Sequence, residues 1–276
     1  MEESLATAQQ NFERGNQLKE REMFPESIAA YQKAIALKPD YIKPLNQLGQ
    51  IYETQENWSE AAKCYRRLVG LNPQNYIGYI KLAKVLTKQN KTYGAISAYI
   101  EAIALNPDLS ASIYRNYGNL LLEVNENNPD AIAAFQKAAE LKTDWGAGFY
   151  SKLANLLEKQ KNFPDATTNY LKALSLQSDN PRRYLSVGNI YFKQGLFKEA
   201  AGNYKRALQI DPYFSNAYKR FGDLLKQQKQ LDSAIKCYQK ALEIQPNFKN
   251  AYRALGNTLM EQGKRSEAEL CFQKAG

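Results

Sequence analysis

The stretch from Tyr184 to Pro212 reads YLSVGNIYFKQGLFKEAAGNYKRALQIDP. Tyr184, Val187, Gly188 and Tyr191 fall at steps of three and four residues or fewer, which places them on one face of a helix. Ala200, Tyr204 and Ala207 repeat that spacing after a short break around Gly195. Pro212 cannot continue a helix and marks the stop. The stretch therefore reads as two helices joined by a turn. The small residues let the two backbones come close, and Tyr204 fills the space beside them.

Working outward, the same pattern recurs along the chain. The stop falls at Pro39, Pro73, Pro107, Thr143, Ser178, Pro212 and Pro246, a period of about 34 residues. An aromatic stands at Tyr31, Tyr65, Tyr99, Phe135, Tyr170, Tyr204, Tyr238 and Phe272. A small residue precedes each by four, and a Gly or Ala occurs earlier still, from Gly15 and Gly49 to Gly222 and Gly256. One such helix pair cannot bury both of its faces, but a stack of pairs can.

The residues of the opening stretch, with Pro212, resemble the tetratricopeptide repeat, and the resemblance covers the whole chain in eight copies. Their approximate bounds are 8–41, 42–75, 76–109, 111–145, 147–180, 181–214, 215–248 and 249–276. The resemblance implies an all-α fold, a right-handed superhelix of about eight helix-turn-helix repeats forming a single array over 1–276. It also implies a concave groove lined by the first helix of each repeat, which holds peptide segments of other proteins. The family has no catalytic residues of its own.

Composition agrees with that expectation. Of 276 residues, none is histidine, which removes the usual general base and the commonest zinc ligand. Cys64, Cys237 and Cys271 form no CxxC pair. No phosphate-binding glycine motif occurs. Catalysis within these residues, a metal and a cofactor are therefore not expected. No apolar run approaches the length of a membrane span, and the acidic start MEESLATAQQ lacks a secretory core. A cytoplasmic location follows as the expectation. Most of the 19 tyrosines, including Tyr52, Tyr79, Tyr184, Tyr204, Tyr218 and Tyr252, occupy repeat packing positions, so nucleic-acid stacking is not expected.

Positions 2, 5, 6, 9, 12 and 13 of each first helix are expected to face the groove. In repeats three to seven these hold eleven basic residues and three acidic ones. The basic residues are Lys81, Lys84, Lys88, Arg115, Lys152, Lys159, Arg182, Lys193, Lys219, Arg220 and Lys226. A strip of one sign attracts the opposite charge, so the expected partner is an acidic protein segment. Asn16, Asn119, Asn155, Asn189 and Asn257 share position 9, and Asn116 lies beside them. An amide can pair with a peptide backbone whatever its sequence. The column resembles the asparagine ladder of the repeat domain of O-GlcNAc transferase, interrupted here by Gln50, Lys84 and Asp223.

Two departures from regularity carry further expectations. The first repeat holds Asn11 and Arg14 at its large positions, as a polar cap does, whereas the last is regular through Phe272 and Ala275. The chain is therefore expected to be part of a longer protein, or to dock or self-associate through its last repeat. The alternative to a free-standing scaffold is the substrate-recruiting module of an enzyme such as a glycosyltransferase, sulfotransferase or methyltransferase. Extra residues at 108–111, 125–128 and 145–148 suggest an irregular joint around repeat four, with Gly146 and Gly148 supplying backbone freedom. Trp145 is expected to act as a hydrophobic staple for the helix that follows it.

Overall fold

The computed structural model describes residues 2–276 and is all-helical over them, with 16 helices and no strand among the described residues. The chain forms two compact units, one running to Thr143 and one from Asp144 to Gly276. The first holds α1 (Glu2–Glu20), α2 (Phe24–Leu37), α3 (Ile42–Thr54), α4 (Trp58–Leu71), α5 (Tyr76–Lys88), α6 (Thr92–Leu105), α7 (Ala111–Val124) and α8 (Pro129–Leu141). The second holds α9 (Ala147–Lys159), α10 (Phe163–Leu176), α11 (Pro181–Lys193), α12 (Phe197–Ile210), α13 (Ser215–Gln227), α14 (Leu231–Ile244), α15 (Lys249–Glu261) and α16 (Arg265–Ala275).

Within each unit, every odd-numbered helix pairs with the even-numbered helix after it, and each even helix then packs on the next odd one. Close approach of glycine and aromatic sets the first of these contacts. A Cβ placed on Gly15 would stand 2.5 Å from the Tyr31 ring, on Gly188 2.5 Å from Tyr204, and on Gly222 2.6 Å from Tyr238. Those tyrosines are completely or almost completely buried. Burial of so large a side chain contributes about 1.5–3 kcal/mol. The second contact is apolar: Tyr31 and Ile35 of α2 pack with Leu45, Leu48 and Ile51 of α3. Tyr238 and Leu242 of α14 pack likewise with Leu255 and Leu259 of α15. At the position where other repeats hold alanine, the buried Ser27 donates its hydroxyl to the Gly15 carbonyl at 2.8 Å.

The turns inside the helix pairs share one device. Glu22, Glu56, Asn90, Lys161, Gly195, Lys229 and Gly263 all take positive φ. The next residue returns its N–H to a carbonyl five positions back, as Asn57 does to Tyr52 at 2.8 Å and Leu196 to Tyr191 at 2.9 Å. This closes the orphan carbonyls of the helix end. The α7–α8 turn differs, because the extra residues at 125–128 change its path. Asn125 bonds back to Leu121 at 3.0 Å, and the Asn128 side chain caps α8 through the Asp130 N–H at 2.9 Å. No residue from 125 to 128 has positive φ.

The division between the units falls in the α8–α9 connection. Gly146 sits there at φ −65°, ψ 160°, an extended backbone open to any residue, and Gly148 lies inside α9. Neither glycine therefore uses the conformational freedom expected of it. Trp145 stacks on Phe149, with ring centroids 4.7 Å apart and 17° between planes. That contact fixes the entry into α9 as a staple does, although the partner lies one residue earlier than in the usual staple.

Candidate binding face

Consecutive odd helices of a unit are joined by side chains from the positions expected to face the groove. In the first unit, Lys19 of α1 donates to Gln47 and Gln50 of α3 at 2.7 and 2.9 Å, and Lys81 of α5 donates to Asn46 of α3 at 2.6 Å. In the second, Lys193 of α11 pairs with Glu158 of α9 at 2.7 Å, and Lys226 of α13 with Glu261 of α15 at 2.8 Å. Each unit thus presents a face lined by its odd helices.

The position-9 side chains have partners from below. Tyr31 donates its hydroxyl to Asn16 Oδ1 at 2.8 Å, and Tyr204 to Asn189 Oδ1 at 3.0 Å. Tyr170 donates toward Asn155 Oδ1 and toward Glu158 at 2.8 Å, and Tyr238 donates to Asp223 at 3.0 Å. The aromatic lies fifteen residues after the position-9 residue in each case. An amide whose oxygen accepts from tyrosine is held in one orientation, leaving its N–H donors for a ligand. The rung is broken in the middle of the first unit. Lys84 stands at position 9 of α5, and the Tyr99 hydroxyl interacts with Asn116 instead. Asn119 of α7 is paired by repeat with Phe135, which has no hydroxyl. In α3, the Tyr65 hydroxyl goes to Glu53. In the last repeat Asn257 is exposed, and its aromatic is Phe272.

The cations expected to form one basic strip divide into two kinds. In the second unit four of them meet carboxylates: Lys193 with Glu158, Lys219 and Arg220 with Asp223 at 2.7 and 3.6 Å, and Lys226 with Glu261. Each has a carboxylate beside it within the protein, with Lys219 and Arg220 sharing that of Asp223. In the first unit amides take that place, and an amide leaves the charge intact. Lys19 and Lys81 donate to Gln47, Gln50 and Asn46. Lys84 and Lys88 are exposed and form no ion pair among the described residues. The Lys88 ammonium lies 5.8 Å over the Trp58 ring. Burial lowers the pKa of Lys81; Glu53 opposes that shift, and the like charges of Lys19 and Lys84 add to it. Lys152 and Lys159 are exposed on α9, and Arg182 is exposed in the first turn of α11, where the Asn180 side chain caps its backbone N–H at 3.0 Å.

A cavity of about 460 Å³ opens on this face of the first unit, where the tyrosine rungs are broken. Trp58, Lys84, Lys88, Asn116 and Asn119 line it, with Val85 and Leu120 below. The second unit has a cavity of about 180 Å³ bounded by Glu158, Lys193, Arg220, Asp223 and Tyr204, groups already joined to one another or to Asn189. The contribution of Trp58 escaped the reading by position, because Trp58 starts an even helix. The tyrosine rungs were legible only as a fifteen-residue spacing between two columns. Among the described residues, no cluster of His, Cys, Asp or Glu suits a metal ion, and no helix is long and apolar enough to cross a membrane.

Known proteins share this architecture. Family models described as TPR repeat match residues 15–56, 154–195 and 222–263. Models described as tetratricopeptide repeat match 42–75, 80–146 and 181–214. No curated protein sequence matches the chain. Among solved structures, YrrB, described as a TPR protein with an unusual peptide-binding site, is 23% identical with a TM-score of 0.58, covering 70% of this chain and 98% of its own. The C-terminal part of a TPR repeat-containing protein from Cytophaga hutchinsonii is 15% identical with a TM-score of 0.59, covering 83% and 93%. MamA from Desulfovibrio magneticus RS-1, residues 41 to the end, is 20% identical with a TM-score of 0.54, covering 60% and 92%. At these identities the likeness is one of fold.

Proposed function

Because the chain belongs to the tetratricopeptide repeat family, we propose that it is a protein-interaction scaffold holding an extended, acidic segment of a partner on the odd-helix face of its first unit. One observation carries the reading. Lys81 rests on a neutral amide, and Lys84 and Lys88 stand without an ion pair among the described residues, so their charge is available to a ligand. Long-range attraction by these lysines, with Arg115 beside them, draws an acidic chain to the face. Carboxylates then pair with the ammonium groups, while Asn116 and Asn119 supply hydrogen bonds to the peptide backbone. The description of YrrB as having a peptide-binding site is consistent with this use of the fold.

In the second unit, the paired lysines serve first to join neighbouring helices. Asn155 and Asn189, oriented by tyrosine, offer N–H donors and so favour carbonyl or carboxylate acceptors. The test is fluorescence anisotropy of a labelled, capped peptide of alternating Asp and Gly, titrated with the protein at low and high salt. Binding that weakens steeply with salt is expected, because exposed charges are screened within roughly 10 Å at moderate ionic strength. Binding that ignores salt, or preference for a Lys–Gly peptide of the same length, contradicts the proposal.

A further inference from the structure

Resting on that reading of the first unit, we infer that its cavity is an anchor site for one apolar side chain flanked by carboxylates in the bound segment. The cavity has an apolar wall: Val85 and Leu120 are buried, and half-buried Trp58 turns part of its indole to the space. At about 460 Å³ it falls within the range of small-ligand sites. Its rim carries Lys84 and Lys88, neither committed to a carboxylate.

Two acids also line the cavity, and their hydroxyl partners leave their charge intact; with Lys81, which interacts with Glu53, the cations there number three against two. Glu53 accepts from the Tyr65 hydroxyl, and Glu123 accepts from Thr92 Oγ1 at 3.4 Å. Apolar wall and free cations together select an occupant with both features. A purely acidic chain would leave the indole and the Val85–Leu120 floor against water, and a purely apolar one would desolvate two ammonium groups without compensation.

The position of the cavity has a cause in the sequence. A tyrosine hydroxyl meets the position-9 residue in the pairs Tyr31–Asn16, Tyr204–Asn189 and Tyr238–Asp223. Lys84 at position 9 and Phe135 in the aromatic column remove that contact from two successive repeats. The cavity opens between them. Around the smaller cavity of the second unit the Tyr204–Asn189 and Tyr238–Asp223 rungs are kept, and that cavity is bounded by ion pairs that a ligand must break.

The experiment uses Trp58 as its own reporter. The chain has two tryptophans, so Trp145→Phe leaves Trp58 as the sole indole. Three capped peptides in a Gly–Ser background serve as probes, carrying Asp-Phe-Asp, Asp-Ser-Asp or Asn-Phe-Asn. The Asp-Phe-Asp probe is expected to shift Trp58 emission saturably and to bind roughly tenfold or more tightly than either other probe. Lys84→Gln with Lys88→Gln should erase the advantage over Asn-Phe-Asn, and Trp58→Ala, followed by anisotropy, the advantage over Asp-Ser-Asp. Equal, salt-dependent binding of Asp-Phe-Asp and Asp-Ser-Asp with a silent Trp58 overturns the anchor and leaves the acidic-segment reading standing. Failure of both acidic probes to bind overturns both.

Discussion

The hydroxyl of Tyr204 on α12 donates to Oδ1 of Asn189 on α11 across 3.0 Å, so a core aromatic fixes the orientation of a residue on the candidate binding face. The ring itself is almost completely buried against Gly188. Packing and presentation are therefore coupled within one repeat. Tyr204→Phe keeps the ring and removes the contact. It is expected to lower stability by about 0.5–1.5 kcal/mol, the net worth of such a hydrogen bond. The denaturant midpoint at constant slope measures it. In an Asn189→Ala background the same substitution should cost markedly less, and an equal cost in both backgrounds would show that the pair is not coupled.

The close approach of glycine to aromatic gives a sharper contrast. A Cβ on Gly222 would lie 2.6 Å from the Tyr238 ring, whereas one on Gly146 would meet nothing within 4 Å. Gly222→Val should destabilise by about 1–3 kcal/mol or more through overpacking. Gly146→Ala, at a backbone angle open to any residue, should be neutral or stabilise by up to about 1 kcal/mol. Thermal melts of the two variants check the pair. A large loss from Gly146→Ala would show that the α8–α9 connection depends on glycine freedom after all.

Five of the turn residues that take positive φ are not glycine: Glu22, Glu56, Asn90, Lys161 and Lys229. For a residue with a side chain the left-handed region costs roughly 1 kcal/mol or more. Lys161→Gly is expected to raise stability by about 0.5–1 kcal/mol, the relief exceeding the added freedom of the unfolded chain. Chemical denaturation that places the variant below the parent would contradict this account of the turns.

Alkaline pH should unfold the protein by a definite route. Burial pushes the Cys64 and Cys237 thiols up to about 11, and Cys271 shifts the same way. Burial likewise raises the hydroxyls of Tyr65, Tyr170, Tyr204 and Tyr238 above the ordinary tyrosine value. Raised acids hold their protons in the folded state where the unfolded chain has released them. Their contribution is complete below the unfolded values, near 9 for the thiols and 10 for the phenols, and is lost as pH rises toward the folded ones. Lys19 and Lys81, lowered by burial, act in the opposite sense. The many phenols and thiols outweigh these two lysines. Stability is expected to stay level up to about pH 9 and then fall, each buried acid costing on the order of 1 kcal/mol per pH unit. Urea midpoints across that range check it, and stability that rises above pH 9 would contradict it.

The fold was legible because its period is written in residues that packing cannot exchange freely. Gly188 must be small where Tyr204 must be large, and that pair recurs along the chain. The turns were less legible, since Glu56 or Lys161 at positive φ carries no local signal comparable to Gly195. The candidate face was half legible. Position numbers selected Lys84, Lys193 and Lys226 alike, yet Glu158 and Glu261 reach across from neighbouring repeats to take the latter two. Pairing between side chains some 35 residues apart depends on how helices abut, and a count of charges along the sequence does not contain it. Gly146 misled for the opposite reason: an inserted glycine suggests unusual backbone, and the backbone there is ordinary.

The central claim is that lysine charge without a carboxylate partner binds and lysine charge paired with a carboxylate does not. Its most direct measurement compares the affinity of one capped Asp–Gly peptide for two double variants at low salt. Lys84→Gln with Lys88→Gln removes charge from the first unit, and Lys193→Gln with Lys226→Gln removes as much from the second. The first pair is expected to weaken binding roughly tenfold or more, each lost contact being a charge-assisted one. Little change is expected from the second pair, whose charges were already met by Glu158 and Glu261. Equal losses from the two pairs, or a greater loss from the second, would contradict it.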